Sequence, residues 1–178
     1  MGATVDSDEI PHFRVKAVGS YKQKPGCPDY ASEDLGAERL ADLCRGQCYF
    51  PGDERKLISR IEVVRIRPQI NSEEALNELI DSPWRVYECS DNPDGCEVEF
   101  RDEEYDSVAR DTVYYVRAIE EPSDAVNGAM QGCEFSEQGE CIAVKECGAN
   151  GGQGEDCLAP IEERAWSSPI FLHHPKSG

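Results

Sequence analysis

Histidine, positive charge and long apolar runs are all scarce in this chain, and each shortage excludes something. Only His12, His173 and His174 occur in 178 residues. A catalytic metal centre gathers several imidazoles or carboxylates at one point. The adjacent pair His173-His174 would face opposite sides of a continuing strand, so it reads as a solvated terminus, and His12 reads as a strand-edge residue. Lys and Arg number 18 against 36 Asp and Glu, a formal net charge of -18. Nucleic acid and anionic lipid are therefore poor partners, because both are held by a basic face that displaces counterions. The longest apolar stretches, Ile61 to Ile66 and Val113 to Ile119, are broken by Glu62, Arg65 and Arg117. They fall far short of the roughly 20 residues that cross a bilayer as a helix. Residues Met1 to Ile10 lack the basic start and apolar core of a secretory signal; if the protein is exported, that signal lies upstream or has been removed. Nor does the chain contain G-x-S-x-G, H-E-x-x-H, a P-loop or G-x-G-x-x-G, the usual marks of a nucleophile, a zinc centre or a phosphate cradle.

Cysteine, by contrast, is abundant, with nine residues. There is no C-x-x-C, and only Cys44-x-x-x-Cys48 approaches the knuckle spacing of a structural zinc site, so zinc is the minority reading. Cys89 with Cys96, Cys133 with Cys141, and Cys147 with Cys157 each bracket a glycine-containing loop flanked by strand-like sequence. That geometry suits a disulfide across a hairpin mouth and points to an oxidising compartment, secreted or periplasmic. Cys27 would pair with Cys44 or Cys48, leaving one thiol over.

Residues 12–18 alternate Phe13, Val15 and Ala17 with Arg14 and Lys16, the period of a strand with one buried face. A loop rich in Lys, Pro and Gly follows. Leu35, Leu40, Leu43 and Cys44 then recur on one face of a helix expected to start after Ser32 and stop at Gly46. A second helical turn is expected from Ser72 to before Pro83. Most of the remainder reads as short strands rich in Val, Ile and Tyr: residues 58–67, 84–89, 96–101, 112–119, 141–145 and 167–173, separated by turns such as Asp91-Asn-Pro-Asp-Gly95. The expected fold is mainly β: an antiparallel β-sandwich, immunoglobulin-like or similar, with one or two short helices and disulfide-stapled loops. It forms a single domain over 11–173, between a disordered tail at 1–10 and a C-terminal tail at 174–178. A parallel α/β sheet would need crossover helices that are not there.

One stretch has the pattern of an ion site. Gly151, Gly152, Gly154 and Asp156 fit the nonapeptide of calcium-binding β-rolls. Such rolls bind between stacked repeats, and a single copy reads more readily as a loop clipped by Cys147 and Cys157. The acidic run Arg101 to Asp106 reads as a solvated turn or helix start. Asp91 and Asp94 lack EF-hand spacing. With so many acids, a close carboxylate pair is expected by chance and carries no catalytic signal. Arg60, Arg65 and Arg67 are expected to meet the protein's own carboxylates on neighbouring strands.

Several longer stretches resemble a known family. Arg110 to Pro122 (RDTVYYVRAIEEP) and Ile161 to Phe171 (IEERAWSSPIF) look like the C-terminal end of a bacterial domain-of-unknown-function family related to the PHP (polymerase and histidinol phosphatase) metal-dependent phosphoesterases. Phe13 to Cys27, Leu43 to Cys48 and Arg60 to Pro68 are similar to its cysteine-rich branch. PHP enzymes gather His and Asp/Glu residues around divalent metals in a distorted barrel, beginning with H-x-H or H-x-D. Neither motif occurs here, so no family ligand transfers to this sequence. The resemblance implies a β-rich accessory domain, with divalent metals only in a catalytic domain beyond this chain.

Within that domain, Tyr114 to Arg117 and Ala165 to Ile170 are expected on neighbouring strands of one sheet. Tyr114 or Tyr115 and Trp166 would supply buried aromatic area, and Pro169 would hold the last strand at an edge. Arg117 and Arg164 would pair with Asp111, Glu162 or Glu163. Together these readings describe a non-catalytic module whose partner is a PHP-like catalytic domain or chain. Two alternatives stand beside it: an extracellular structural or self-assembling protein that takes up calcium, and a contributor to a phosphoesterase site completed by a missing domain.

Overall fold

A computed structural model describes residues 2–44, 48–126, 133–144 and 158–177. The first half contains β1 (Ala3–Asp6), β2 (His12–Ala17), β3 (Tyr21–Gln23), α1 (Asp29–Leu35), α2 (Ala37–Cys44), β4 (Pro51–Arg55), β5 (Ile58–Ile66), α3 (Leu76–Leu79) and β6 (Ile80–Glu88). It continues with β7 (Cys96–Arg101), α4 (Tyr105–Val108), β8 (Thr112–Glu120), β9 (Ser123–Val126), β10 (Cys133–Phe135) and β11 (Cys141–Val144). The last strands are β12 (Leu158–Ile161), β13 (Arg164–Trp166) and β14 (Ile170–His173).

The main sheet runs β1-β14-β8-β5-β6, with β13 also paired to β8. Its two longest inner strands, β5 and β8, are antiparallel and register Ile58 on Glu120 at one end and Ile66 on Val113 at the other. Ile58, Ile61, Val63 and Val64 of β5 are buried. β-Branched residues suit this place because their stiff side chains pack well on a pleated surface covered by neighbours. Across one face lies a second layer, the antiparallel ribbon of β2 and β7. The alternation in β2 has the expected phase, with Phe13, Val15 and Ala17 turned inward. Val15, Ala17 and Val98 pack on Ile58 and Ile61, while Phe13 joins Tyr105, Tyr114 and Leu172. Phe100 stacks on Phe13 at 4.9 Å between ring centroids and meets Trp84 edge-on at 6.2 Å. Burying one such ring stabilises by about 1.5–3 kcal/mol, and each favourable aromatic pair adds about 0.5–1.5 kcal/mol. The fold is mainly β, layered as a sandwich, with open sheets.

Two cross-links between described residues hold the periphery. Cys89–Cys96 ties the end of β6 to the start of β7, and so fastens the ribbon to the sheet. The turn it encloses depends on Gly95, at φ +105°, where an added Cβ would lie 2.2 Å from the Ala17 carbonyl oxygen. Cys27–Cys48 closes the loop that carries α1 and α2, which selects Cys48 over Cys44 as the partner of Cys27. Cys141 is disulfide-bonded as well. Cys147 and Cys157 lie outside the described residues, as do the side chains of Cys44 and Cys133.

Several expectations need correction. The helix read as starting after Ser32 begins at Asp29 and is split at Gly36, whose φ of +76° ends α1 before α2 begins. Of its apolar face, Leu40 is buried while Leu35 and Leu43 are exposed. The second helical turn is confined to α3, and β6 begins at Ile80 and runs through Pro83 on a cis Ser82–Pro83 bond. The tail expected at 1–10 contains β1, which pairs with β14 in parallel, an exception to the antiparallel pattern. The last expected strand is two: β13 and β14 are separated at Ser167 to Pro169. Pro169 therefore precedes β14, which lies inside the sheet between β1 and β8. His174 is buried against Tyr105 instead of solvated, while His12, at the start of β2, is exposed and lies 3.5 Å from Glu99.

Candidate binding groove

Where β2 turns into β3, the chain lies directly on the backbone of Lys56. A Cβ at Gly19 would fall 1.9 Å from the Lys56 carbonyl oxygen, so only glycine permits this approach. The Lys56 amide donates to the Ser20 carbonyl at 2.8 Å. Ser20 in turn donates from its backbone N–H to Glu120 Oε1 at 2.5 Å and from its hydroxyl to Oε2 at 3.1 Å. The Glu120 amide donates to the Glu163 carbonyl. These links draw the end of β8, the β2–β3 turn and the segment before β13 around a groove of about 590 Å³. Its floor is apolar, formed by Ala17, Val18, Ile58 and Ala118; Ile161, Arg164, Ala165 and Trp166 shape the far side.

The acidic groups at the wall are held by cations. Lys56 bonds to Glu163, lies 3.4 Å from Glu120 Oε2, and donates to the Ser123 hydroxyl at 3.0 Å. Burial alone would lower the Lys56 ammonium, but its hydrogen bonds and charge contacts with Glu163 and Glu120 outweigh that and raise it. The hydrogen bond from Lys56 holds the Glu163 carboxyl below its ordinary range. Arg60 grips Glu162 with two parallel bonds of 2.7 Å, the planar fork geometry that makes Arg–carboxylate pairs strong. Glu162 is lowered as a result, and the Arg60 guanidinium is raised. Arg60 also reaches Glu62 at 2.9 Å, and Glu62 accepts Arg117 at 2.8 Å.

The expected partners of Arg117 are thus replaced: Glu162 goes to Arg60, Glu163 to Lys56 and Asp111 to His173. Strand pairing explains the change, since β5 brings Glu62 beside Arg117 in register. Trp166 is the larger surprise. It sits on β13 opposite Arg117, as neighbouring strands require, yet it is 62% exposed instead of buried. Tyr114 is the residue of this group that fills the core.

A second cluster lies inside the sandwich. Arg65 donates to Asp102 at 3.0 Å, to Glu104 at 2.9 Å and to Asp81 at 3.0 Å, with its guanidinium over the Trp84 ring at 4.4 Å. Asp102, 1% exposed, also accepts the Tyr114 hydroxyl at 2.6 Å and the Glu104 amide at 3.1 Å. Burial first, and then Asp102, push the Tyr114 phenol up. Asp102 thus gathers donors from three directions, which makes the cluster a structural clamp. The acidic run read as solvated therefore supplies Asp102, the most buried acid among the described residues. A third cluster ties the end of β14 to the start of β8: Asp111 receives His173 Nδ1 at 3.0 Å and the His174 amide at 2.9 Å. The His173 bond is the main cause that lowers Asp111 and raises His173.

Among the described residues, no group of three or more His, Cys, Asp or Glu is placed to hold a metal ion. The calcium candidate Gly151, Gly152, Gly154 and Asp156 lies outside them. Also among the described residues, no helix is long and apolar enough to cross a membrane. The disulfides mark an oxidising environment.

No known protein family, curated protein or solved structure matches the chain.

Sequence reading missed Lys56, Glu120 and Ser20 in the groove and Asp102 in the core. Their partners lie 100 positions away for Ser20 and 37 for Asp102. Such separations carry no local signal. The one available cue was Glu120 at the end of an apolar strand, beside a glycine-led turn elsewhere.

Proposed function

We propose that this chain is a non-catalytic, exported accessory module that acts by binding, with the groove beside β13 as its contact surface. The observation that carries the reading is Trp166, a large amphipathic ring left open at the mouth of an apolar-floored groove. Such rings are enriched where proteins meet partners, because they supply contact area with few torsions to order. The ion pairs around it fix the wall in place and leave none of its paired acids poised as a nucleophile or general base. Export is supported by the disulfides, which persist in oxidising compartments.

The finer reading is that the module sits beside a PHP-like metal-dependent barrel and shapes its substrate entrance or its assembly. It rests on the sequence resemblance of residues 110–122 and 161–171, to which no family match adds support. The test is a phosphodiesterase assay of the isolated chain on bis(p-nitrophenyl) phosphate with Mn²⁺ or Zn²⁺. No turnover above the metal-only rate is expected. Robust turnover, lost on substitution of a groove or clamp residue, would overturn the non-catalytic reading.

A further inference from the structure

The groove has a chemistry that selects its ligand, and we propose that it binds a neutral oligosaccharide. This rests on the reading of the chain as a binding module and names what is bound. The ring of Trp166, 62% exposed, offers a flat apolar platform. A pyranose matches such a platform, since one face of the sugar presents C–H groups while its rim carries hydroxyls.

The groove wall supplies what those hydroxyls need. Glu162 and Glu163 line it with side chains 32% and 49% exposed. Each is locked from behind, Glu162 by both arms of Arg60 and Glu163 by Lys56. An ionised carboxylate has about four lone-pair sites, so both keep acceptor capacity toward the groove. Arg164, also on the wall, provides donors. Groups already fixed by their own partners lose little freedom when a ligand binds, which is the condition for useful affinity from a few hydrogen bonds.

Charge decides between sugar and ion. Glu120, Glu162 and Glu163 carry three negative charges on the groove lining; Arg164 on the lining, with Lys56 and Arg60 paired to these acids from outside it, carry three positive ones. The site is therefore locally balanced, which suits an uncharged ligand. An anionic glycan would also have to approach a molecule of net charge -18, and a cation would find the carboxylates already paired. The volume, about 590 Å³, falls in the range of roughly 300–1,000 Å³ usual for small-ligand sites.

The test uses the full chain and its Trp166→Ala and Trp166→Phe variants, each checked by circular dichroism and thermal melting. Tryptophan emission and isothermal calorimetry would follow titration with neutral hexasaccharides of glucose (β-1,4 and β-1,3), xylose, mannose and N-acetylglucosamine. An oligogalacturonate and an oligolysine serve as charged comparators. At least one neutral hexasaccharide is expected to bind and shift the emission. Trp166→Ala should weaken it by about tenfold or more, Trp166→Phe by less, with unchanged melting.

If none of the neutral sugars binds, or if binding is equal in Trp166→Ala, the assignment is wrong. Tighter binding of oligolysine or oligogalacturonate would also overturn the sugar assignment, while leaving the binding-module reading intact. Phosphodiester turnover would overturn the module reading and leave sugar binding to stand by itself.

Discussion

Replacing Asp102 by Ala should destabilise this protein far more than the loss of any exposed charge on its surface. The substitution removes the acceptor of two bonds from Arg65, the Tyr114 hydroxyl and the Glu104 amide, in a site where Asp102 is 1% exposed. Breaking a buried ion pair from one side costs about 3–5 kcal/mol. Arg65 keeps Asp81 and Glu104, which places its share near the low end, about 3 kcal/mol. The stranded Tyr114 hydroxyl adds about 1 kcal/mol. A loss of about 4 kcal/mol is a large part of the roughly 5–15 kcal/mol that holds a domain together. It should lower Tm by about 8–16 °C, at about 2–4 °C per kcal/mol for this size.

Urea denaturation followed by circular dichroism measures it, with the midpoint falling and the slope unchanged. Tyr114→Phe alone should lose about 1 kcal/mol, and the double variant should show clear coupling in a mutant cycle. A loss below about 1 kcal/mol in Asp102→Ala would refute the clamp, since that is the size of an ordinary surface pair.

Three further outcomes follow from the geometry. Changing Cys89 and Cys96 together to Ser should destabilise by about 2 kcal/mol, and Cys27 with Cys48 by about 3 kcal/mol, because the second pair closes the longer loop; reduced-state denaturation curves check both. Gly95→Ala should cost about 1–3 kcal/mol from the forced left-handed backbone and the clash with the Ala17 carbonyl, and a melt as stable as the parent would contradict the turn geometry. The Asp111–His173 pair should shape the pH profile. His173 is raised, so its contribution is full below its unfolded pKa of about 6.5 and is lost as pH rises through its higher folded value. Asp111 is lowered, so its contribution is present above about 3.9 and is lost as pH falls through its lower folded value. His173→Ala should flatten the alkaline limb of the profile, and an unchanged limb would remove this pair as its cause.

How much of this was legible in the sequence depended on distance along the chain. Alternation in residues 12–17, the β-branched run at 58–66 and the turn at Asp91 to Gly95 are local patterns, and each became the expected element. The tie between Cys89 and Cys96 spans 7 positions and could be read from its bracketed loop. Boundaries failed where one residue decided them: Gly36 divides a continuous helical pattern, and the segment from Ser167 to Pro169 divides a continuous strand pattern. The groove failed for a different reason. Trp166 looks like a core residue by type, and only the packing of β13 beside β8 at the margin of the sheet leaves it open. The acids that surround it gain meaning from Lys56 and Arg60, which strand register supplies and sequence order does not.

The most direct test of binding through the Trp166 groove is amide mapping by nuclear magnetic resonance during titration with the tightest neutral hexasaccharide. Shifts are expected to cluster at Ala17, Ser20, Ala118 and Glu162 to Trp166, with the Trp166 indole N–H among the largest. Shifts confined to the β6 edge or to the α1–α2 loop, with these amides unmoved at saturation, would contradict it.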